Sequence, residues 1–550
     1  METKKKLDGW FVISIIMLIL FIGVLIYPIF GIIKHAVIMP DGSFSMMQFQ
    51  KFFSNSIYTK SIINSFKITA FVTVVTLLVG IPFAYFYAFY KLKGAKVLFV
   101  VSIICSMSAP FLGAYSWVML LGRAGVITQF FKGLGIILPS IYGFGGIALA
   151  QTLKFFPLVF IYMNGAFKSI DNTLMEASAN MGCVGIKRLF NIVLHLTMPT
   201  ILAATLMVFM QAFADFGTPT ILGETFTTFP VLLYNEYLGE TGGDFKFAAA
   251  LAVIAIIVTA VIFFFQKWAT GRFKFSINAL HSVEKKKAKG ISGVLMHLYC
   301  YLLCGLAILP QVYIIYLSFR NCKGSIFLPG FSLGNYQQAM KKKLVLASKN
   351  TVIMGIAALV IIIVVAVVLA YLVVRRASML NHTIDTISML PYIMPGAVIG
   401  IALVIAFGSK PLALTGTMAI LILSFAIRRM PYTIRSATAT LMAIHPSVEE
   451  ASISLGASKL KTFFTITVPM MSNGILSGAI LSWIAIVTEL SSSVILYSNR
   501  TVTLTMQAYI YIGRGEYGTS AAFAAILTAI TTISLLLYMA ISKSEDDIQL

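Results

Sequence analysis

Apolar runs of about twenty residues recur from one end of the chain to the other, separated by short segments rich in glycine, proline and charged residues. A helical run of about twenty residues is long enough to cross a hydrocarbon core about 30 Å thick. The pattern therefore predicts twelve membrane spans in an all-α protein. The predicted spans lie near residues 10–33, 61–90, 97–121, 143–166, 200–222, 246–266, 293–318, 350–374, 384–407, 412–436, 470–496 and 519–541.

The composition supports a membrane protein and argues against a soluble enzyme. Hydrophobic residues make up 59% of the 550 positions, and charged residues only 11%, whereas soluble domains carry about 25% charged residues. The first apolar run follows the basic residues Lys4, Lys5 and Lys6. It is longer than a signal-peptide core of about 7–15 residues and has no small-residue cleavage site after it. We therefore expect a retained first span.

The net charge of +22 is spread over the connections between the spans. This distribution follows the bias of cytoplasmic loops toward lysine and arginine, and no basic helix with interleaved aromatic residues suggests a nucleic-acid partner. The richest basic segment is 267–290. With twelve spans, it and both termini are predicted to be cytoplasmic. The basic run Lys341–Lys343 then falls outside, where it either faces solvent or meets acidic residues of a docked protein.

The two halves of the chain are copies of one another. Phe156-Pro157 matches Met430-Pro431 at an offset of 274 residues, whereas Asn64 matches Asn350 at an offset of 286. The difference is a twelve-residue insertion in the first copy, between Leu112 and Gly146. We predict a first six-helix repeat over 1–266, a basic cytoplasmic linker over 267–292 and a second six-helix repeat over 293–550. Parallel repeats of this kind place a pathway between the halves.

One motif occurs in the loop between the fourth and fifth span of each half. Small side chains suit a short docking helix, a carboxylate suits the start of such a helix, and a following glycine can end it. Any amphipathic loop helix is the alternative interpretation, but two copies in the same register argue against it. The motif residues are Glu176, Ala177, Ser178 and Gly182 in the first half and Glu450, Ala451, Ser452 and Gly456 in the second.

These loops resemble the E-A-A…G loop of the permease subunits of binding-protein-dependent ABC importers, and the resemblance extends over essentially the whole chain. Asp215–Gly223 and Thr488–Ser493 are similar to segments of the fused ferric-iron-type permeases. The sequence departs from the family pattern in the serine at the third motif position, in His195 in place of the first proline and in Asn473 in place of the later one. These departures leave the small-residue helix and its glycine intact.

The resemblance implies the type I permease fold in the bacterial cytoplasmic membrane. It implies two docking helices for separate ATPase subunits, expected as a homodimer, and an extracytoplasmic binding protein that delivers the solute. Ferric iron is the first expectation for the solute, and phosphonates, sugar phosphates, thiamine or another small solute are the alternatives. Apart from these partners we expect contact with membrane lipid and none with nucleic acid.

The sequence predicts no chemistry within the chain itself. It contains no G-x-x-x-x-G-K-[ST] loop, no H-E-x-x-H motif and no metal-binding or disulfide spacing among its five cysteines. We therefore expect no catalytic residue, metal site or cofactor here, and ATP is expected to bind to the partner ATPase. An ion-driven secondary transporter is the alternative class, because it also uses twelve spans in parallel halves. A non-transporting scaffold is less favoured.

Ionisable residues inside the predicted spans are candidates for a pathway, because a charge near the bilayer centre costs at least about 2.5 kcal/mol. Asp215 aligns with Glu489 and Lys154 with Arg428, all at similar predicted depth. Either Lys154 pairs with Asp215 and Arg428 with Glu489 for structural reasons, or all four residues line the path between the halves. Accessible carboxylates would suit a cation such as ferric iron, whereas free cations would suit a phosphate or phosphonate.

Overall fold

The computed structural model describes residues 9–39, 41–106, 109–239, 244–272 and 285–542, which fold almost entirely into helices. The basic residues Lys4–Lys6 and the middle of the predicted linker lie outside the described residues.

The described residues of the first half form fifteen helices. They are α1 (Gly9–Phe21), α2 (Tyr27–Val37), α3 (Met47–Ser54), α4 (Ser56–Phe89), α5 (Ala95–Ser106), α6 (Pro110–Leu121), α7 (Val126–Gly133), α8 (Phe144–Lys168), α9 (Asn172–Asn180), α10 (Gly185–Arg188), α11 (Leu194–Leu196), α12 (Met198–Phe213), α13 (Gly217–Leu222), α14 (Phe229–Leu238) and α15 (Phe245–Arg272).

The second half repeats this order with thirteen helices in the part that the structure describes. They are α16 (Gly290–Phe319), α17 (Gly334–Lys341), α18 (Leu344–Arg375), α19 (Met379–Ile393), α20 (Gly396–Phe407), α21 (Met418–Ala443), α22 (Ser447–Ser454), α23 (Lys459–Thr462), α24 (Val468–Met470), α25 (Ser472–Val487), α26 (Ser493–Leu496), α27 (Leu504–Gly513) and α28 (Tyr517–Ser542).

Short π-helical turns and two small strand pairs complete the described structure. The π turns Ile22–Ile26, Leu189–Val193 and Phe463–Thr467 join α1 to α2, α10 to α11 and α23 to α24. Strand β1 (Tyr90–Lys91) pairs in parallel with β2 (Lys286–Lys287), so the end of the linker lies against the loop after α4. Strands β3 (Arg320–Lys323) and β4 (Ile326–Phe331) form an antiparallel hairpin after α16.

Eight helical segments of the described chain are long and apolar enough to cross a membrane, and the count rises to eleven if three sharply bent helix pairs are each one span. The bends are 113° between α19 and α20, 71° between Leu189–Leu196 and α12, and 66° between Lys459–Met470 and α25. Helix α21 occupies a predicted span but is absent from that count. It carries Arg428, Arg429 and Arg435, and these three charges make it too polar to be counted as a span from its composition. The number twelve stays a prediction.

Four predicted spans are interrupted in the structure. The span predicted over 97–121 is divided between α5 and α6, and the span predicted over 384–407 between α19 and α20. The spans predicted over 200–222 and 470–496 end as regular helices at Phe213 and Val487, and each is followed by a break and a short helix. The predicted acids Asp215 and Glu489 lie in these two breaks, which apolar periodicity alone did not reveal.

The helices after the first spans match one to one between the halves, with α4 corresponding to α18 and α15 to α28. The exception is α7, which lies between α6 and α8, where the second half has only residues 408–417 between α20 and α21. Helix α7 therefore occupies the twelve-residue insertion predicted from the change of offset.

The first span of each half packs against the other half. Helix α2 contacts α20, and Trp10 of α1 packs on Tyr371 and Phe463 with ring-centroid distances of 4.4 and 5.2 Å. Helix α16 reciprocally contacts α5 and α6. There the Tyr299 hydroxyl donates to the backbone oxygen of Val79 at 2.7 Å. The two apolar cores are therefore built from both halves.

Candidate functional site

Helices α9 and α22 contain the two loop motifs and end in the same way. Gly182 and Gly456 follow them with φ of +75° and +90°, a left-handed conformation that favours glycine. The amide of Cys183 donates to the Ser178 carbonyl at 2.8 Å, and that of Ala457 to the Ser452 carbonyl at 3.1 Å. The amide of each glycine also donates to a carbonyl in the last turn of its helix, so both helices end in a Schellman motif. We call the side of the protein that carries α9 and α22 the coupling face.

The two helices begin differently, and the predicted position of the motif acid is only partly correct. Glu450 lies in the first turn of α22, as expected. Glu176 lies in the middle of α9, because Asp171 caps that helix earlier by accepting from the Thr173 amide at 2.9 Å. Glu176 instead accepts a hydrogen bond from Asn172 at 2.8 Å.

We call α9 and α22 the coupling helices. In each half one motif residue is buried and the others are exposed. Ser178 and Ser452 are buried, whereas the motif glutamates, alanines and glycines are exposed. Just before the glycines, Met181 and Leu455 occupy matched positions and are 87% and 90% exposed. Large apolar side chains that are almost fully exposed to solvent at equivalent sites in both halves are typical of a protein-binding surface. The sequence motif did not single out these two residues.

The coupling helices are anchored to the spans by different chemistry in the two halves. In the second half Glu449 accepts from Arg375 Nε at 2.9 Å, and both side chains are 11% exposed. The guanidinium also donates to the Ile444 carbonyl at 2.7 Å. The matched residues in the first half are Met175 and Phe89, both buried. A buried apolar pair on one side thus corresponds to an ion pair on the other.

Glu489 is buried and saturated by two arginines. It forms ion pairs with Arg428 and with Arg429, and its Oε1 also accepts from the Ser492 amide at 3.0 Å. The Arg428–Glu489 pair agrees with the structural interpretation of these charges. Arg429 was missed by the sequence analysis, because the first half has Phe155 at the matched position and the repeat gave no signal there.

Asp215 and Lys154 do not form the predicted ion pair. Asp215 is 7% exposed, and its carboxylate accepts from Gln151 at 3.1 Å and from the Thr218 amide at 3.4 Å. In the described part of the chain Lys154 has no hydrogen bond and no ion pair within 4.0 Å; its Nζ lies over the Phe155 ring at 4.7 Å. Gln151, one turn earlier on α8, therefore holds the carboxylate in place of Lys154.

Two cavities lie between the halves, one above the other. The upper cavity, of about 200 Å³, is lined by both halves and includes Lys154, Arg429 and Glu489. The lower one, of about 920 Å³, reaches Ala443 and Met470 beside α22 and thus extends toward the coupling face. Leu158, Gln211, Tyr432 and Leu481 line both cavities and separate them. Asp215 and Arg428 do not line either cavity.

The predicted external lysines are used largely within the chain. Lys342 forms an ion pair with Glu516, and Lys343 donates to the Asn499 carbonyl at 3.3 Å. Both contacts tie the segment before α18 to the region around α27. The structure thus gives this run an internal role, and only Lys341 of the three has no such contact with the described residues.

Paired short helices on one face and a polar cavity between two homologous helical halves define a transport permease. The chain belongs to the family described as the binding-protein-dependent transport system inner membrane component, whose model matches residues 76–275 and 362–545. The two matches fall one in each half. The protein is therefore a multi-pass inner-membrane permease subunit of an ABC importer, a transport component rather than an enzyme, and the family implies a separate ATPase and a separate binding protein.

Curated relatives give a more specific likeness. The ferric transport system permease protein FbpB of Actinobacillus pleuropneumoniae is 28% identical over 560 residues, covering 98% of this chain and 78% of that protein. A permease named FbpB 1 from Haemophilus influenzae is 28% identical over 505 residues, covering 89% and 78%. The molybdate/tungstate transport system permease protein WtpB of Pyrococcus abyssi is 28% identical over 168 residues, covering 30% and 66%.

Proposed function

We propose that this chain forms the complete translocation pathway of a ferric-iron importer, with one ATPase docked at α9 and another at α22. The observation that carries the proposal is the pair of matched helices on one face, flanking a cavity that lies between the two halves. The ferric substrate is supported by the likeness to FbpB over nearly the whole chain.

The coupling helices have the properties that a docking element needs. Met181 and Leu455 project from the ends of α9 and α22 and are available to enter an apolar pocket of a partner. Behind them, Met175 and Glu449 are buried against the spans, so a force applied to either helix is passed on to the helices around the cavity. Two docking sites at matched positions suit a homodimeric ATPase.

The cavities suggest how access would alternate. The lower cavity extends toward the coupling face, and the narrower upper cavity is separated from it by Gln211 and Tyr432. Closure of the two ATPases on ATP would draw α9 and α22 together, narrow the lower cavity and open the upper one toward the opposite face. A binding protein would deliver the solute at that opposite face, outside the cytoplasm.

Docking can be tested with Met181→Asp and Leu455→Asp. A carboxylate at these positions must be desolvated on docking, so we expect the double variant to lose co-purification with the ATPase and ATP-driven iron uptake. Phe44→Asp is the matched control for ATPase binding, because Phe44 is 71% exposed and lies in the segment between α2 and α3, outside both motif loops. Retention of the ATPase by the double variant, at the level of the control, would contradict the proposed docking sites.

A second candidate substrate is a small oxyanion without iron. Lys154 and Arg429 line the upper cavity without a free carboxylate beside them, and WtpB, a relative over part of the chain, is named as a molybdate/tungstate permease. Uptake measurements with separate isotopes on the metal and the oxyanion distinguish this candidate from ferric iron.

A further inference from the structure

The charged groups around the upper cavity do not suit a bare metal cation. Three cations, Lys154, Arg428 and Arg429, stand against two carboxylates, Asp215 and Glu489. One positive charge is therefore in excess in a region where charge is costly. Among the charged residues that line the cavity itself, Lys154 and Arg429 are opposed only by Glu489.

Both carboxylates are already engaged by the protein. Arg428 binds one oxygen of Glu489 and Arg429 binds the other. Asp215 is held by Gln151 and by the Thr218 amide and does not line the cavity. A ferric ion prefers anionic oxygen ligands, and here it would have to displace an arginine to obtain one. Its own charge would also be repelled by the nearby cations.

The cations, by contrast, have donors to spare. Lys154 has no hydrogen-bond or ion-pair partner among the described residues, and Arg429 Nε is buried without an acceptor. Ammonium and guanidinium groups form strong, charge-assisted hydrogen bonds with oxyanions. The lower cavity differs, because its charged lining residue in the described structure, Arg435, forms an ion pair with Asp385 at 3.2 Å.

We propose that the metal crosses this chain as an anionic ferric complex, with an oxyanion ligand of the iron held at mid-path by Lys154 and Arg429. The proposal rests on the proposed ferric function and adds the charge of the transported species. The ligand chemistry is that of a carboxylate or phosphate oxyanion, and citrate and inorganic phosphate are the two probes that represent it.

The test is double-label uptake into proteoliposomes that contain the chain with its ATPase and binding protein. One arm supplies ⁵⁵Fe with ¹⁴C-citrate, and the other supplies ⁵⁵Fe with ³²P-phosphate. We expect ATP-dependent entry of iron together with one of the two labelled oxyanions in a constant ratio, and the arm in which this occurs identifies the ligand. Iron that enters at full rate without either oxyanion would overturn the anionic complex and leave the ferric function standing. Entry of oxyanion alone, or of neither isotope, would instead overturn the ferric function itself.

Variants of Lys154 test the residue that the proposal depends on. Because Lys154 has no hydrogen bond or ion pair within the described residues to lose, Lys154→Gln is expected to fold, yet to lower uptake of the iron–oxyanion complex by about tenfold or more. Lys154→Arg keeps the charge and should stay within about threefold of the parent. Lys132→Gln, an exposed lysine on α7 outside the predicted spans, is the matched control. Unchanged uptake and unchanged isotope ratio in Lys154→Gln would overturn the role of this lysine.

Discussion

At the scale of single residues, the exchange of Glu449 and Arg375 for Met175 and Phe89 shows how the two halves of a repeat can diverge in pairs. The two pairs occupy matched positions, with one residue on α22 or α9 and the other at the end of the long span α18 or α4. An ion pair with little exposure is stable only with both partners present, because either charge alone is left without compensation. The two positions are therefore expected to change together.

This coupling is measurable because the chain provides its own reference pair. We expect Glu449→Met alone to destabilise the anchoring of α22 by about 2 kcal/mol, since Arg375 keeps its charge in a site with little exposure. The double variant Arg375→Phe, Glu449→Met copies the first half and should recover most of the loss. A double-mutant cycle on thermal stability and on ATP turnover of the assembled importer gives the interaction. Additive losses in the two single variants would contradict a direct pair.

The sequence alone did not predict which partners the buried charged residues bind. The repeat correctly paired Arg428 with Glu489, since both stand at matched depth on neighbouring helices. It missed Arg429, and it assigned to Asp215 a lysine partner where the structure has an amide, Gln151. Side chains one turn apart on α8 are equivalent in a sequence pattern, and only their packing decides which of them reaches the carboxylate.

At the scale of elements, the endings of α9 and α22 follow closely from sequence, whereas the breaks in several spans do not. A glycine after a short run of small residues determines a helix end through backbone sterics, and these are local. The bend of 113° between α19 and α20 depends on what packs around it. The motif Met394-Pro395-Gly396 lies at that bend, and proline and glycine are its available signal in the sequence.

The glycine endings lead to a prediction about the coupling helices. Gly182→Ala and Gly456→Ala place a Cβ on a left-handed residue, at a cost of about 1–2 kcal/mol. We expect amide hydrogen exchange in the last turn of α9 or α22 to accelerate by about fivefold or more. Gly165→Ala in α8 is the control, because that glycine has no positive φ and an added Cβ meets nothing within 4 Å. Equal exchange in all three variants would show that these endings do not depend on the glycine conformation.

At the scale of the whole molecule, the orientation in the membrane is predicted from the charge of the loops and can be tested with native cysteines. Cys183 follows α9 on the coupling face, and Cys322 lies in the hairpin of β3 and β4 after α16; both are partly exposed. The other three cysteines are buried. The chain thus contains one reporter thiol for each predicted side.

With the coupling face in the cytoplasm, a membrane-impermeant thiol reagent should label Cys322 in right-side-out vesicles and Cys183 in inverted vesicles. The single variants Cys183→Ser and Cys322→Ser assign each signal to its residue. Mass spectrometry of the labelled peptides provides the measurement. The reverse pattern would place α9 and α22 outside and would remove the basis for docking an ATPase there.

The reciprocal packing of the first spans has a mechanical consequence. Helices α1 and α2 pack against the second half, whereas α16 packs against the first. Each half is therefore held by the first span of the other half. We expect two halves packed in this way to resist separation and to move mainly by tilting about their interface. If the gap between the two halves widens on one side of the membrane, it then narrows on the other side. This packing therefore disfavours a pore that is open on both sides at once.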